Sequence, residues 1–257
     1  DLAYNYRNRA SLYYQTGQYL NAIDDFNESI RIDLLYKGEN SERISNSYNN
    51  LANIYMLLGS VELSYEYLIK TLSIQKEIYG SSKTVELATT YNSIGKYWKR
   101  KQQYPKALAN YHQALNCMRA SVGSQHPEVV PIYINFIALF TETAEYDSAN
   151  YYLNKAEKLQ REVSELPTKR LGLLVSQRAK AQLRTGNTSM SIATMQESIT
   201  IYQEAAGLKH PQLSDVFQEL AAIYLVQQDY EAALEAAQQA LVSNSVAFTS
   251  SDVLQNP

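Results

Sequence analysis

The chain has 257 residues, 45 % hydrophobic and 19 % charged, with a net charge of −3. That balance is ordinary for a soluble protein and offers no bulk positive charge for nucleic acid or an acidic membrane surface. No apolar run approaches the ~18 residues of a membrane-spanning helix, and a single cysteine, Cys117, excludes an internal disulfide.

The biased residue is tyrosine, with 22 copies against five phenylalanines and one tryptophan. Tyrosine suits half-buried packing with the hydroxyl left wet. There is no initiator methionine and no signal peptide, so Asp1 is expected to begin an excised or processed fragment. Together with the lone cysteine this favours a cytoplasmic location.

Glycine sets a ruler. Gly17, Gly38, Gly59, Gly80, Gly123, Gly186 and Gly207 fall on a grid of 21 residues, with one step of 22 between positions 80 and 102. The grid points without glycine are Gln102, Ala144, Glu165 and Gln228. A glycine at each helix end is expected, because the chain turns there through a left-handed conformation. The spacing predicts helices of roughly 17–18 residues, about 27 Å long. Two helices make a repeat of 42 residues.

Six copies follow in order. Copy one covers residues 2–36, and copy two, 42–79, carries the polar run Asn46, Asn49, Asn50 and Asn53. Copy three, 84–122, is the cleanest. Tyr91, Ile94, Gly95 and Trp98 form one helical stripe, and Tyr104, Ala107, Tyr111 and Ala114 form another, broken by a turn near Gln102. Copy four, 127–163, has Ile137 at the small position held elsewhere by Ala10, Ala52, Gly95, Ala179 and Ala221, so its helices are expected to spread slightly.

Copy five, 167–206, is the weakest. Gln182 stands where the others have Tyr13, Tyr55, Trp98, Phe140 and Tyr224, and Thr188 stands where they have Tyr19, Val61, Tyr104, Tyr146 and Tyr230. Weak packing makes this copy an expected hinge. Copy six, 211–243, regains the pattern. Residues 244–257 are serine-rich and aperiodic and read as a linker. Pro105, Pro127 and Pro211 each fall just after a turn, where a helix tolerates a missing N–H. The prediction is all-α: a right-handed solenoid, or superhelix, of six helix-turn-helix repeats.

The stripe of copy three resembles the tetratricopeptide pattern W-x2-L-G-x2-Y followed by A-x3-F. The 42-residue period is similar to the long-helix version of kinesin light chains, and Gly123-Ser-Gln-His126-Pro127 and Gly207-Leu-Lys-His210-Pro211 resemble its inter-repeat G-x-x-H-P. The last repeat and tail, AALEAAQQALVSNSVAFTSSDVLQNP, resemble the junction before a C-terminal CHAT domain, a caspase-like peptidase fold, in bacterial proteins. That resemblance implies an intramolecular effector following this chain. An input domain of a sensor kinase or transcriptional regulator is the alternative.

No catalytic constellation stands out. Walker, H-E-x-x-H, paired-cysteine and G-x-S-x-G motifs are absent. His126 and His210 are equivalent points of two repeats and are expected to cap helices rather than bind metal. His112 and Cys117 point to different faces of one helix, and Cys117 reads as a small packing residue. No metal, cofactor or nucleic acid is expected.

The tetratricopeptide resemblance implies instead a concave groove lined by first helices, holding a protein or peptide. Register places Asn49, Asn53 and Met56 there from copy two, and Asn92, Lys96 and Lys99 from copy three. Ile134, Ala138 and Thr141 come from copy four, and Ser176, Lys180, Leu183 and the adjacent Arg184 from copy five. Asparagine amides donate and accept, so they suit a peptide backbone. The cations favour an acidic segment or a C-terminal carboxylate.

Overall fold

The computed structural model describes residues 2–38, 41–163 and 166–244. The tail from position 245 and the grid point Glu165 lie outside the described residues. Twelve α-helices are found among the described residues, and no strands. They are α1 Leu2–Gln15, α2 Tyr19–Lys37, α3 Glu42–Leu57, α4 Val61–Tyr79, α5 Val85–Arg100, α6 Tyr104–Val122, α7 Val130–Glu142, α8 Tyr146–Val163, α9 Lys169–Arg184, α10 Thr188–Ala206, α11 Pro211–Val226 and α12 Tyr230–Asn244. A short 3-10 turn, Pro127–Val129, leads into α7. The all-α repeat fold expected from the glycine ruler is the fold observed.

The chain divides into two compact units, residues 1–139 and 140–257, with the division inside α7. In the first unit α1 packs on α2, α3 on α4 and α5 on α6, with α2 against α3 and α4 against α5. In the second unit α9 packs on α10 and α11 on α12, with α8 against α9 and α10 against α11.

Within each pair, small residues bring the backbones together, and serines there also make hydrogen bonds. Ser64 Oγ donates to the Ala52 carbonyl at 2.7 Å, and its register equivalent Ser191 donates to the Ala179 carbonyl at 2.8 Å. Ser29 and Ser198 repeat the arrangement on Ala3 and Gly172, at 3.0 and 2.8 Å. Each of these four buried hydroxyls is satisfied, so the close approach leaves none of them an orphaned donor.

Helix lengths are less even than the ruler predicts. The first helices α3, α5, α9 and α11 have 16 residues each, whereas the second helices α2, α4, α6 and α10 have 19. The reason lies in the turns. Within a repeat the grid residue sits inside a tight connection; between repeats it opens a longer one, at Gly38, Gly80, Gly123 and Gly207.

The two turn types explain where glycine is dispensable. Gln102, Ala144 and Gln228, three of the grid points without glycine, all adopt positive φ, 57°, 61° and 63°. All three lie within a repeat, where a left-handed residue costs an L-amino acid about 1–2 kcal/mol. Gly123, between repeats, has φ 90° and ψ 161°, a region open essentially to glycine alone. Gln102→Gly is therefore expected to raise stability by about 0.5 kcal/mol, strain relief being offset in part by unfolded-state entropy. Gly123→Ala is expected to lower it by about 2 kcal/mol. The midpoints of urea unfolding check both signs.

The histidine-proline segments cap helices. The Nδ1 atoms of His126 and His210 accept from the backbone N–H groups of Glu128 and Gln212, both at 3.3 Å. Burial, with Lys169 nearby, holds the His210 imidazole below its ordinary pKa, which keeps the accepting nitrogen unprotonated.

Candidate peptide-binding face

Within each unit, polar side chains bridge the first helices of successive repeats. Arg100 Nη1 donates to the Met56 carbonyl at 3.2 Å, joining α5 to α3. Asn135 Nδ2 donates to Asn92 Oδ1 at 2.7 Å, joining α7 to α5. In the second unit Lys180 Nζ lies 2.5 Å from Glu219 Oε1, joining α9 to α11. Helical spacing puts these residues on one stripe of each helix, so the bridges form one polar layer in each unit.

The candidate residues of the first unit divide by environment. Asn49, Asn53, Met56, Lys99, Ile134 and Ala138 are half-buried. Asn49 Oδ1 is buried without a hydrogen-bond partner. Asn92 departs from the expectation of an open polar residue: it is 8 % exposed, and its Oδ1 is engaged by Asn135. Its buried side-chain carbonyl needs a donor, and the Asn135 amide of α7 supplies it. Lys96 is exposed at its surface, yet enough protein surrounds it that desolvation lowers its pKa from the ordinary lysine value.

In the second unit Thr141 is half-buried, and Ser176 is buried with its Oγ donating to the Leu173 carbonyl at 2.8 Å. The Ser176 hydroxyl is therefore spent within its own helix, although the residue lines a cavity between α9 and α11. Lys180 is held by Glu219. Arg184 is exposed, its guanidinium 5.5 Å from the centre of the Tyr146 ring. Two cavities, of about 390 and 620 Å3, meet at the Lys180–Glu219 pair between α9 and α11.

Two residues of this layer escape strict register. Asn135 lies one residue past Ile134, the aligned position, and a rotation of one residue is enough for it to reach α5. Glu219 belongs to copy six, whose first helix has Gln218 at the aligned position. A polar residue beside each aligned position is the signal that finds both.

Among the described residues, no group of three or more His, Cys, Asp or Glu side chains could hold a metal ion. Cys117 is buried, and desolvation pushes its thiol pKa up, away from the reactive thiolate. No described helix is long and apolar enough to cross a membrane.

The first unit thus offers amides and a crowded lysine, and the second a partly apolar groove with a cationic rim. Comparison with known proteins bears on both. The Clustered mitochondria protein homolog of Caenorhabditis elegans is 24 % identical over 111 residues, which is 43 % of this chain and 9 % of that protein. The chain thus spans only a small part of that relative. The STAND protein with a tetratricopeptide repeat sensor, PH0952 from Pyrococcus horikoshii, superposes with a TM-score of 0.72 at 16 % identity, covering 94 % of this chain and 38 % of that one. A Rap protein complexed with Competence and Sporulation Factor gives 0.67 at 13 % identity, covering 93 % and 74 %. Sequence profiles of the tetratricopeptide repeat match residues 3–34, 45–82, 86–162 and 171–241. With those matches running through all six helix pairs, the chain belongs to the tetratricopeptide repeat family, all-α helical repeats that serve as protein-binding scaffolds.

Proposed function

We propose that this chain binds an extended peptide, or one helix of a partner protein, along the polar layer of its first helices, without catalysing a reaction on it. The observation that carries this is the buried, unpartnered Oδ1 of Asn49 on the same layer as the bridged Asn92–Asn135 pair. A buried acceptor without a donor costs about 1–3 kcal/mol. A peptide N–H supplies that donor. Lys96, desolvated but unpaired by any carboxylate among the described residues, selects an acidic segment or a C-terminal carboxylate. The Rap protein, which has the same fold, is complexed with Competence and Sporulation Factor, and this supports a binding role for such an array.

The test is selection of random dodecapeptides on the immobilised chain, followed by calorimetry on the enriched sequences. Acidic peptides are expected to emerge. Lys96→Glu is expected to weaken them about ten-fold or more, and Asn49→Ala about five-fold. Circular dichroism reports whether each variant is folded. Unchanged affinity in both folded variants rejects the groove.

The setting we favour is a larger bacterial protein in which this array regulates a CHAT-type effector. Its support is the resemblance of the segment from position 232 onward to such a junction. The parent reading frame past Pro257 decides it: a stop codon there removes the effector.

A further inference from the structure

We propose that the larger cavity between α9, α10 and α11 is a socket for one aromatic side chain of a partner peptide that carries a carboxylate beside it. This rests on the peptide-binding reading but uses residues of copies five and six rather than Asn49 and Lys96.

The socket is the place of a missing ring. In copy four Tyr146 opens α8, and Arg184 of the following repeat lies over its ring. One repeat later the same two positions hold Thr188 and Val226, and both line the cavity of about 620 Å3. Tyrosine occupies the Thr188 position in four other copies, as Tyr19, Tyr104, Tyr146 and Tyr230. A ring pair is also lost in the same copy. Phe140 and Tyr152 stack at 5.8 Å in copy four, and their equivalents in copy five are Gln182 and Thr194. Gln182 Oε1 is left buried without a partner.

The walls suit a ring. Leu183, Met195, Ile223 and Val226 face the space, and Val226 is 85 % exposed, so the socket opens to solvent. A volume of this size lies within the range of small-molecule sites, and an aromatic side chain buries a large apolar area there. The polar groups specify what flanks the ring. Lys180 is committed to Glu219, whereas Arg184 at the rim has no carboxylate partner among the described residues. Arg184 therefore takes the ligand's carboxylate. The Oε2 atom of Glu219 is buried without a hydrogen bond and accepts a peptide N–H.

The probe is N-acetyl-phenylalaninate, the smallest molecule with the ring, the carboxylate and an amide N–H, titrated into the isotope-labelled chain and followed by NMR. Shifts are expected at α9, α10 and α11. N-acetyl-alaninate, without the ring, is expected to bind about ten-fold more weakly. The phenylalanine amide, without the carboxylate, is expected to bind about three-fold more weakly. Arg184→Gln brings the acid down to the level of the amide and leaves the amide unchanged.

Thr188→Tyr restores the ring of the other copies. It is expected to abolish binding while the melting temperature stays at or above that of the parent. Val226→Glu, at an exposed position, repels the carboxylate and gives an independent loss should Thr188→Tyr unfold. Absence of binding by N-acetyl-phenylalaninate overturns the socket. So do equal binding by N-acetyl-alaninate and undiminished binding in folded Thr188→Tyr or Val226→Glu. None of these outcomes bears on the Asn49 and Lys96 variants, which test copies two and three.

Discussion

Gly95→Ala is expected to destabilise the chain by about 2–3 kcal/mol, although alanine is the better helix former by about 1 kcal/mol. A Cβ on Gly95 falls inside the van der Waals surface of the Tyr111 ring, at its Cδ1 and Cε1 atoms. Tyr111 is fully buried and has no open space in which to retreat. The remedy is written in copy two, where the same pair of positions is Ala52 and Leu68, both 1 % exposed. The double variant Gly95→Ala, Tyr111→Leu is therefore expected to be more stable than the sum of the single changes by at least about 1 kcal/mol. A thermodynamic cycle built from urea unfolding of the four proteins measures this coupling. Additive losses would show that the contact between Gly95 and Tyr111 does not limit packing. Gly172 stands to Tyr202 in the same way, a Cβ meeting the ring at 2.9 Å, so the largest buried rings of both units rest on glycine.

Arg178→Ala is expected to cost about 2–3 kcal/mol, the second largest effect. Arg178 on α9 grips Glu157 on α8 through Nε at 2.9 Å and Nη2 at 2.8 Å, and Nη2 also reaches Asn154 Oδ1 at 3.0 Å. The Glu157 side chain is only 9 % exposed, so losing the guanidinium strands a carboxylate in a poorly solvated site. The Arg178 side chain is 36 % exposed, which lets water in and brings the cost below that of a fully buried pair. Replacing both residues, as Glu157→Leu with Arg178→Met, is expected to come within about 1 kcal/mol of the parent, because no charge is then left unpaired. Hydrogen exchange across α8 and α9 localises the effect. Unchanged protection in Arg178→Ala would show that the pair contributes little to the junction of copies four and five.

Copy five looks weak by its substitutions, yet its contacts are specific. Ser191 and Ser198 make the same backbone bonds as Ser64 and Ser29, Met195 is buried, and Arg178 ties α9 to α8. What copy five lacks is aromatic filling at Gln182 and Thr188, and Thr188 lines the cavity. Conversely, Gln102, Ala144 and Gln228 break the glycine pattern without breaking the turn.

Periodicity by itself determined the fold class, the pairing of helices and the placement of the turns. These follow from chain-local physics: a helical stripe has a fixed period, a turn needs a particular backbone conformation, and both recur with the repeat. The histidine caps were legible for the same reason, since a cap bonds residues two positions away. The state of each polar side chain was decided only by tertiary structure. Asn92, Lys96, Ser176 and Lys180 look equally open in register, but one is bridged to Asn135, one is desolvated, one bonds to its own helix and one is paired with Glu219. Whether an amide meets a partner, water or empty space depends on how far the neighbouring helix is rotated. A one-residue shift, from Ile134 to Asn135, carries a side chain through 100° of the helix and changes the answer.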